Sequence, residues 1–258
     1  MVSLPLGDLV EAYFQQRINR FIVRCQLAGA DPDRSTDRTG GKSCKGQIVE
    51  AHLADPGRLR ELLTPNRRIW LQSTSNPNRK TRWSAILSET ENGSLVSLVS
   101  ALPNTLVKTT LVQKAMPELS SWSLVRSEYP LGRHRFDFLL QRGQKQMLLE
   151  IKSVTLVDNG VGLFPDAVTS RGRQHLDTLA ALTQSGQYQG AVLFVAQRSD
   201  AQCVTAASHI DPRFAKAFTA ARRAGVQFYR RSCQITKKQI SLGNALPVLD
   251  PDMPFLSC

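Results

Sequence analysis

The sequence predicts an α+β protein of two unlike parts, a small all-β part over residues 1–100 and a mixed α/β part over residues 101–258. Three observations carry this reading. Short segments of alternating apolar and polar residues, separated by turn signals, fill the first hundred residues. Beyond residue 103, helical spacing interleaves with strand-like runs. Residues 191–196 (AVLFVA) are apolar at every position, as a central strand covered on both faces must be.

In the first part, Phe21, Val23, Cys25 and Leu27 alternate with Ile22, Arg24 and Gln26, the period of a strand with one buried face. A polar stretch at about 31–46 reads as a long loop inserted after it. Further strands are expected at 47–53, 69–71, 83–88 and 95–100. Asp55-Pro56-Gly57 marks a turn, and Asn92-Gly93 supplies the positive φ angles of a tight hairpin between the last two strands. Five short strands in so few residues fit a five-stranded barrel of the OB type. In the second part, Asn104 is expected to cap a helix over 105–115. Strands follow at 124–129, 135–141 and 146–152, then a helix at 170–185 that stops at Gly186, the strand 191–196, a helix at 212–224 and a strand at 226–231. The order α-β-β-β-α-β-α-β describes a mixed sheet with helices packed on it.

Composition limits the function. The 258 residues, 41% of them hydrophobic, can bury a core without disulfides. The five cysteines are scattered, with no C-x-x-C pair, which argues against a disulfide framework and a cysteine-based zinc site and favours a reducing, cytoplasmic setting. No apolar run approaches the length of a membrane span, and the first residues lack a basic start followed by an apolar block. A net charge of +12 points to a polyanion, nucleic acid ahead of an anionic membrane, because no basic amphipathic helix stands out.

The chemistry is concentrated in RFDFLL (135–140) and MLLEIK (147–152). Strand parity puts Arg135, Asp137 and Leu139 on one face, and Leu148, Glu150 and Lys152 on one face. A short link at 141–145 allows antiparallel pairing, so Asp137, Glu150 and Lys152 can converge at one edge of a sheet. Two carboxylates suit Mg²⁺ or Mn²⁺. A metal so held can activate water for phosphodiester cleavage. A lysine two residues beyond the glutamate can stabilise developing negative charge. The plain alternative is an amphipathic hairpin with a solvated polar face. On the next helix Arg171 and His175, four residues apart, share a face, with Arg173 and Gln174 nearby.

Strand order and the D…E-x-K set resemble the PD-(D/E)XK nuclease superfamily. Longer segments narrow this: HLADPGRLRELL (52–63), NPNRKTRW (76–83), LPNTLV (102–107), RFDFLL and EIKSVTLVDNGVGLFPDAVTSRGRQHLDTLAAL (150–182) together resemble the sugar fermentation stimulation protein family, SfsA. The similarity runs over nearly the whole chain, although Asp55 stands where the family more often has Asn. The resemblance implies an N-terminal OB fold, a C-terminal nuclease-like domain, sequence-nonspecific DNA binding and a regulatory link to sugar (maltose) metabolism that no residue here explains.

Residues expected to meet nucleic acid are Arg67, Arg68, Arg79, Lys80 and Arg82 in the first part, and Arg133, Arg135, Arg171, Arg173 and His175 in the second. Trp70 and Trp83 read as core before they read as stacking platforms. Arg230, Arg231, Lys237 and Lys238 form a second basic run, while His134 and His209 show no ligand spacing. Two classes of function remain at this point: a DNA-binding protein (RNA being the other polyanion) with a metal-dependent nuclease site, or a non-catalytic DNA-binding regulator that keeps the nuclease core as a scaffold. A basic structural protein would need no metal at all.

Overall fold

The computed structural model describes residues 2–29 and 46–249. The polar stretch expected at 31–46 therefore lies outside the described residues, apart from Gly46. The strands are β1 (Ser3–Pro5), β2 (Val10–Asn19), β3 (Ile22–Leu27), β4 (Ile48–Leu53), β5 (Arg68–Ser73), β6 (Trp83–Glu89) and β7 (Leu95–Ser97), followed by helix α1 (Leu102–Val112). Then come β8 (Ser123–Leu131), β9 (His134–Arg142), β10 (Lys145–Val154), β11 (Val157–Asp158), β12 (Val161–Phe164), α2 (Ser170–Gln184), β13 (Gln189–Ala196), β14 (Cys203–Ala206), α3 (Pro212–Arg223), β15 (Gln227–Ile235) and β16 (Gln239–Ala245). Two compact units result. Among the described residues, one holds Pro5–Ser100 with Thr236–Gln239, the other residues 2–4, Ala101–Ile235 and residues 240–249.

The first unit is a closed barrel. Its strands run in the order β4-β3-β2-β5-β6, and a parallel pairing of Ala51, His52 and Leu53 with Trp83, Ser84 and Ala85 joins β6 back to β4. The other barrel pairs are antiparallel. Closure removes the free edges that an open sheet of this size would expose. Val23, Cys25 and Leu27 of β3 and Val49, Ala51 and Leu53 of β4 point inward, and Leu59 and Leu62 from the β4–β5 connection complete the core. Five strands close the barrel, and four of them are the expected ones. Val10–Asn19 is the barrel's first strand, and its register shifts at Phe14/Gln16 and Arg17/Asn19 break the two-residue period that would have revealed it. The segment expected at 95–100 contributes only the short β7, which extends β6 outside the closed set.

The second unit is a seven-stranded sheet, β1-β16-β15-β13-β10-β9-β8, with a small sheet β11-β12-β14. β10, β13 and β15 are parallel, as helical crossovers require, whereas β8–β9, β9–β10 and β15–β16 are antiparallel. Leu176 and Leu179 of α2 and Phe214 and Phe218 of α3 pack on Leu148, Val192 and Phe194. Thr169 caps α2 by accepting from Gly172 N (3.0 Å), and Asp211 caps α3 by accepting from Phe214 N (3.0 Å). The second Asp211 oxygen accepts from Thr169 N at 2.9 Å, so one buried carboxylate ties both helix starts together.

Three local expectations change. α1 starts at Leu102 with Ala101 as its N-cap, so Asn104 lies inside the first turn and its side chain is free for another task. The β11–β12 hairpin turns on Asn159-Gly160, both at positive φ, in elements too short for periodicity to mark. The run Arg230, Arg231, Lys237, Lys238 is not one basic patch. Arg230 is 1% exposed and donates to the carbonyls of Val204 and Gln202. Arg231 pairs with Glu118, and both lysines belong to the other unit. Cys25 and Cys233 are free thiols whose pKa burial pushes up to about 12, which leaves them unreactive. No helix among the described residues is long and apolar enough to cross a membrane.

Replacing Asp211 with Ala removes a cap and leaves the Thr169 N–H without its acceptor. Urea unfolding of the variant is expected to show a loss of roughly 2–3 kcal/mol from the second unit. A loss below about 0.5 kcal/mol would mean that solvent satisfies both helix starts.

Candidate active site

The hairpin of β9 and β10 sets the site. Arg142 pairs with Lys145 across a two-residue turn, and the register runs on through Leu139 opposite Leu148 and Phe138 opposite Leu149. That register ends at Phe138, so Asp137 lies just past the paired stretch, where its Oδ2 accepts from the main-chain N–H of Ile151 at 2.7 Å. Its Oδ1 accepts from Asn104 Nδ2 of α1, also at 2.7 Å. Asp137 is thus held by two neutral donors.

Glu150 and Lys152 share the β10 face that carries Leu148 and Val154 into the core under α2. Both are buried, at 4% and 8% exposure. Lys152 Nζ donates to Glu150 Oε1 at 2.6 Å, and His175 Nδ1 of α2 lies 2.5 Å from the same oxygen. Glu150 Oε2 is buried and has no hydrogen-bond partner. Burial alone would raise the Glu150 pKa, but the Lys152 charge and the His175 contact outweigh it and hold the carboxyl below its usual range. Asp137 moves the other way. Burial, and after it the Glu150 charge, push it up to about 6 against the Ile151 N–H, the Lys152 charge and the Asn104 amide.

His175 also opens onto a cleft of about 460 Å³ lined by Gly132, Arg133, His134, Arg135, Arg171 and Gln174. Arg133 and Arg171 are exposed there, and Arg135 pairs with Glu128 at 2.6 Å. Arg173 is half-buried and does not line the cleft. His175 is itself a buried partner of Glu150 rather than an exposed member of a polar helix face. His134 stands edge-on to the His175 ring, with centroids 5.7 Å apart, and its Nε2 lies 3.2 Å from Thr178 Oγ1. Partial burial, then the charges of His175, Arg133 and Arg171, hold the His134 pKa below its usual value.

The five basic residues of the barrel fall into separate settings. Arg67 bonds Thr64 and Glu91, and Arg68 lies between Glu11 and Glu89. Arg79 and Lys80 line a cleft of about 510 Å³ with Phe21 and His52, and Arg82 is exposed. Trp70 is buried and Trp83 packs on the barrel core. Two site residues escaped sequence reasoning. Asn104 read as a cap, and nothing in the sequence joins it to Asp137. His134 read as unremarkable, although its place three residues before Asp137 and Thr178's place three beyond His175 are visible signals.

A closed OB barrel and a mixed α/β domain, the second bringing two carboxylates and a lysine together where the pairing of β9 with β10 ends, define the class of this chain. Residues 101–239 match the family described as "Sugar fermentation stimulation protein RE domain", and residues 16–98 match the SfsA N-terminal OB domain. The sugar fermentation stimulation protein homolog of Shouchella clausii is 41% identical over 95% of this chain and 100% of its own length. That of Chloroflexus aurantiacus is 38% identical over 96% and 89%. The chain belongs to the sugar fermentation stimulation protein (SfsA) family. The solved structure of Pyrococcus furiosus SfsA in complex with Ca²⁺ shares the fold, with a TM-score of 0.81 and 21% identity over 96% of this chain and 99% of that one.

The raised Asp137 pKa has a sign in stability. Its value in the fold, about 6, lies above that of an unfolded aspartate, so the folded chain keeps the proton longer. This group's contribution to stability is complete below about pH 4 and is lost as pH rises through about 6. Urea unfolding in EDTA at several pH values is expected to show that loss, on the order of 2 kcal/mol, and Asp137→Asn is expected to flatten it. An unchanged slope in the variant would assign the pH dependence to other groups.

Proposed function

We propose that this protein is a divalent-metal-dependent DNA phosphodiesterase of low sequence preference. The observation that carries the reading is the bare, buried Oε2 of Glu150 beside Asp137, whose pKa burial and then the Glu150 charge raise. A buried carboxylate oxygen without a donor is costly unless a cation faces it. Among the described residues no three His, Cys, Asp or Glu side chains group for a metal, so the protein's donors would be the Asp137 and Glu150 carboxylates, with main-chain carbonyls and water completing the shell. The donors are all oxygens, which suits Mg²⁺ or Mn²⁺, and the Ca²⁺ complex of the Pyrococcus furiosus relative supports a hard cation. Such a cation supplies activation of a water and neutralisation of phosphate charge.

The remaining work falls to the chain's own groups. Lys152 and His175 fix Glu150 through Oε1, which keeps Oε2 directed at the reaction centre. Asn104 and the Ile151 N–H orient Asp137. Lys152 Nζ donates toward the negative charge that grows on the phosphate during attack. Arg133, Arg135 and Arg171 hold the DNA backbone along the cleft that His175 joins to the carboxylates. A regulatory role without cleavage would use the same arginines and leave the carboxylates with no task.

Closed-circular duplex and single-stranded DNA, incubated with Mg²⁺, Mn²⁺ or EDTA, tests this. Metal-dependent breakage is expected, and Glu150→Gln is expected to abolish it together with calorimetric metal binding. Lys152→Ala is expected to slow cleavage by about a hundredfold or more while binding changes only a few-fold. DNA retention on gels without breakage in every metal would overturn the catalytic reading and leave a DNA-binding protein.

A further inference from the structure

The closed strand order identifies the barrel's ligand-facing loops. In an OB barrel, the loop between the first two strands and the loop between the last two flank the oligonucleotide face. Here these are the Arg20-Phe21 turn between β2 and β3 and residues 74–82 between β5 and β6. Both reach one cleft of about 510 Å³, where Phe21, His52, Arg79 and Lys80 stand together.

Phe21 is 49% exposed, whereas Phe14 and Trp70 of the same barrel are buried. An aromatic ring left in water among cations is not core, and here the main chain that carries it is firmly held. Its main-chain N–H donates to Asn19 Oδ1 at 2.8 Å, and its carbonyl accepts from Leu53 N at 2.8 Å. Arg17 spans the turn, donating to the carbonyls of Arg20 (2.8 Å) and Gly57 (2.7 Å). The Arg20 guanidinium lies 5.7 Å from the Phe21 ring centroid. Arg79 is steadied by Ser84 Oγ at 2.9 Å, and Lys80 is exposed. An exposed ring on a firmly held main chain, beside two phosphate-seeking side chains, is what an unpaired base needs, since stacking accepts any base and the cations follow the backbone.

We infer that Phe21 is the stacking platform for an unpaired base of single-stranded DNA, with Arg79 and Lys80 on its phosphates. The inference rests on the DNA reading above and names the substrate class: DNA carrying a single-stranded segment. A fully paired duplex keeps its bases inside the stack and offers Phe21 nothing to hold.

Fluorescence anisotropy on the full chain in EDTA separates this from cleavage. The probes are a labelled oligothymidylate of about 15 nucleotides, a duplex of the same length and an oligouridylate. Phe21→Ala is expected to weaken oligothymidylate binding about tenfold or more and duplex binding by less than about twofold, with an unchanged unfolding curve. Phe21→Trp is expected to retain binding, and Lys80→Ala to make the salt dependence shallower by about one phosphate contact. Equal losses on single strand and duplex, wild-type binding by Phe21→Ala, failure of Phe21→Trp, or Phe21-dependent preference for oligouridylate would each overturn it. A wild type that nicks circular DNA while Phe21→Ala binds normally defeats this inference alone. Phe21-dependent binding without cleavage defeats the nuclease reading alone.

Discussion

Glu150 accepts two partners on one oxygen and none on the other, and the second unit is arranged around that imbalance. A carboxylate at 4% exposure cannot stay ionised in an apolar setting without cations beside it. Lys152 comes from the same strand at no cost in topology, because a two-residue offset keeps it on the same face. His175 must come from elsewhere, and this dictates where α2 lies. Gly172 lets the first turn of α2 sit tightly on its own cap, since a Cβ there would stand 2.8 Å from Thr169 Cγ2. Asp211 then ties that cap to α3. The helix–helix corner is therefore part of the site's support, although it touches neither carboxylate.

Legibility in the sequence follows the range of the interactions involved. The β9–β10 hairpin was visible because strand parity and a short turn are local, so Asp137, Glu150 and Lys152 could be grouped from spacing alone. Arg171 and His175 were visible as a pair for the same reason, through the helical repeat. Burial divides that pair: Arg171 faces the cleft, while His175 turns inward to Glu150. Periodicity cannot tell these outcomes apart. Asn104 lies 33 residues from Asp137 and meets it only through the packing of α1, so no local pattern encodes the contact. β2 was lost because two register shifts scramble its alternation and leave Val10, Tyr13 and Ile18 exposed. Its absence, offset by counting 95–100 as a barrel strand, kept the strand total right while one of the five members was wrong.

The basic residues show why net charge is a blunt guide. Several of the arginines that make the chain basic are already spent. Arg230 is buried against main-chain carbonyls, its pKa lowered to about 9 by burial. Arg231 and Arg67 are taken by Glu118 and Glu91, and Arg68 by two glutamates. What remains for a polyanion is set by local geometry: Arg133 and Arg171 around one cleft, Arg79 and Lys80 around another.

A polyanion and a pair of carboxylates, one buried and one half-buried, are electrostatically opposed. Phosphate approaching Asp137 and Glu150 meets like charge in a region where water screens poorly. One feature of the chain reduces that repulsion before any cation arrives: Lys152 neutralises Glu150 at one oxygen. That pairing does not bind DNA. It makes sense if the carboxylates are kept for a cation that reverses the local sign and the arginines do the holding at the rim. The arrangement is spatial: Glu150 is buried and Asp137 half-buried where the pairing of β9 with β10 ends, the exposed cations line the cleft outside, and His175 is the side chain common to both.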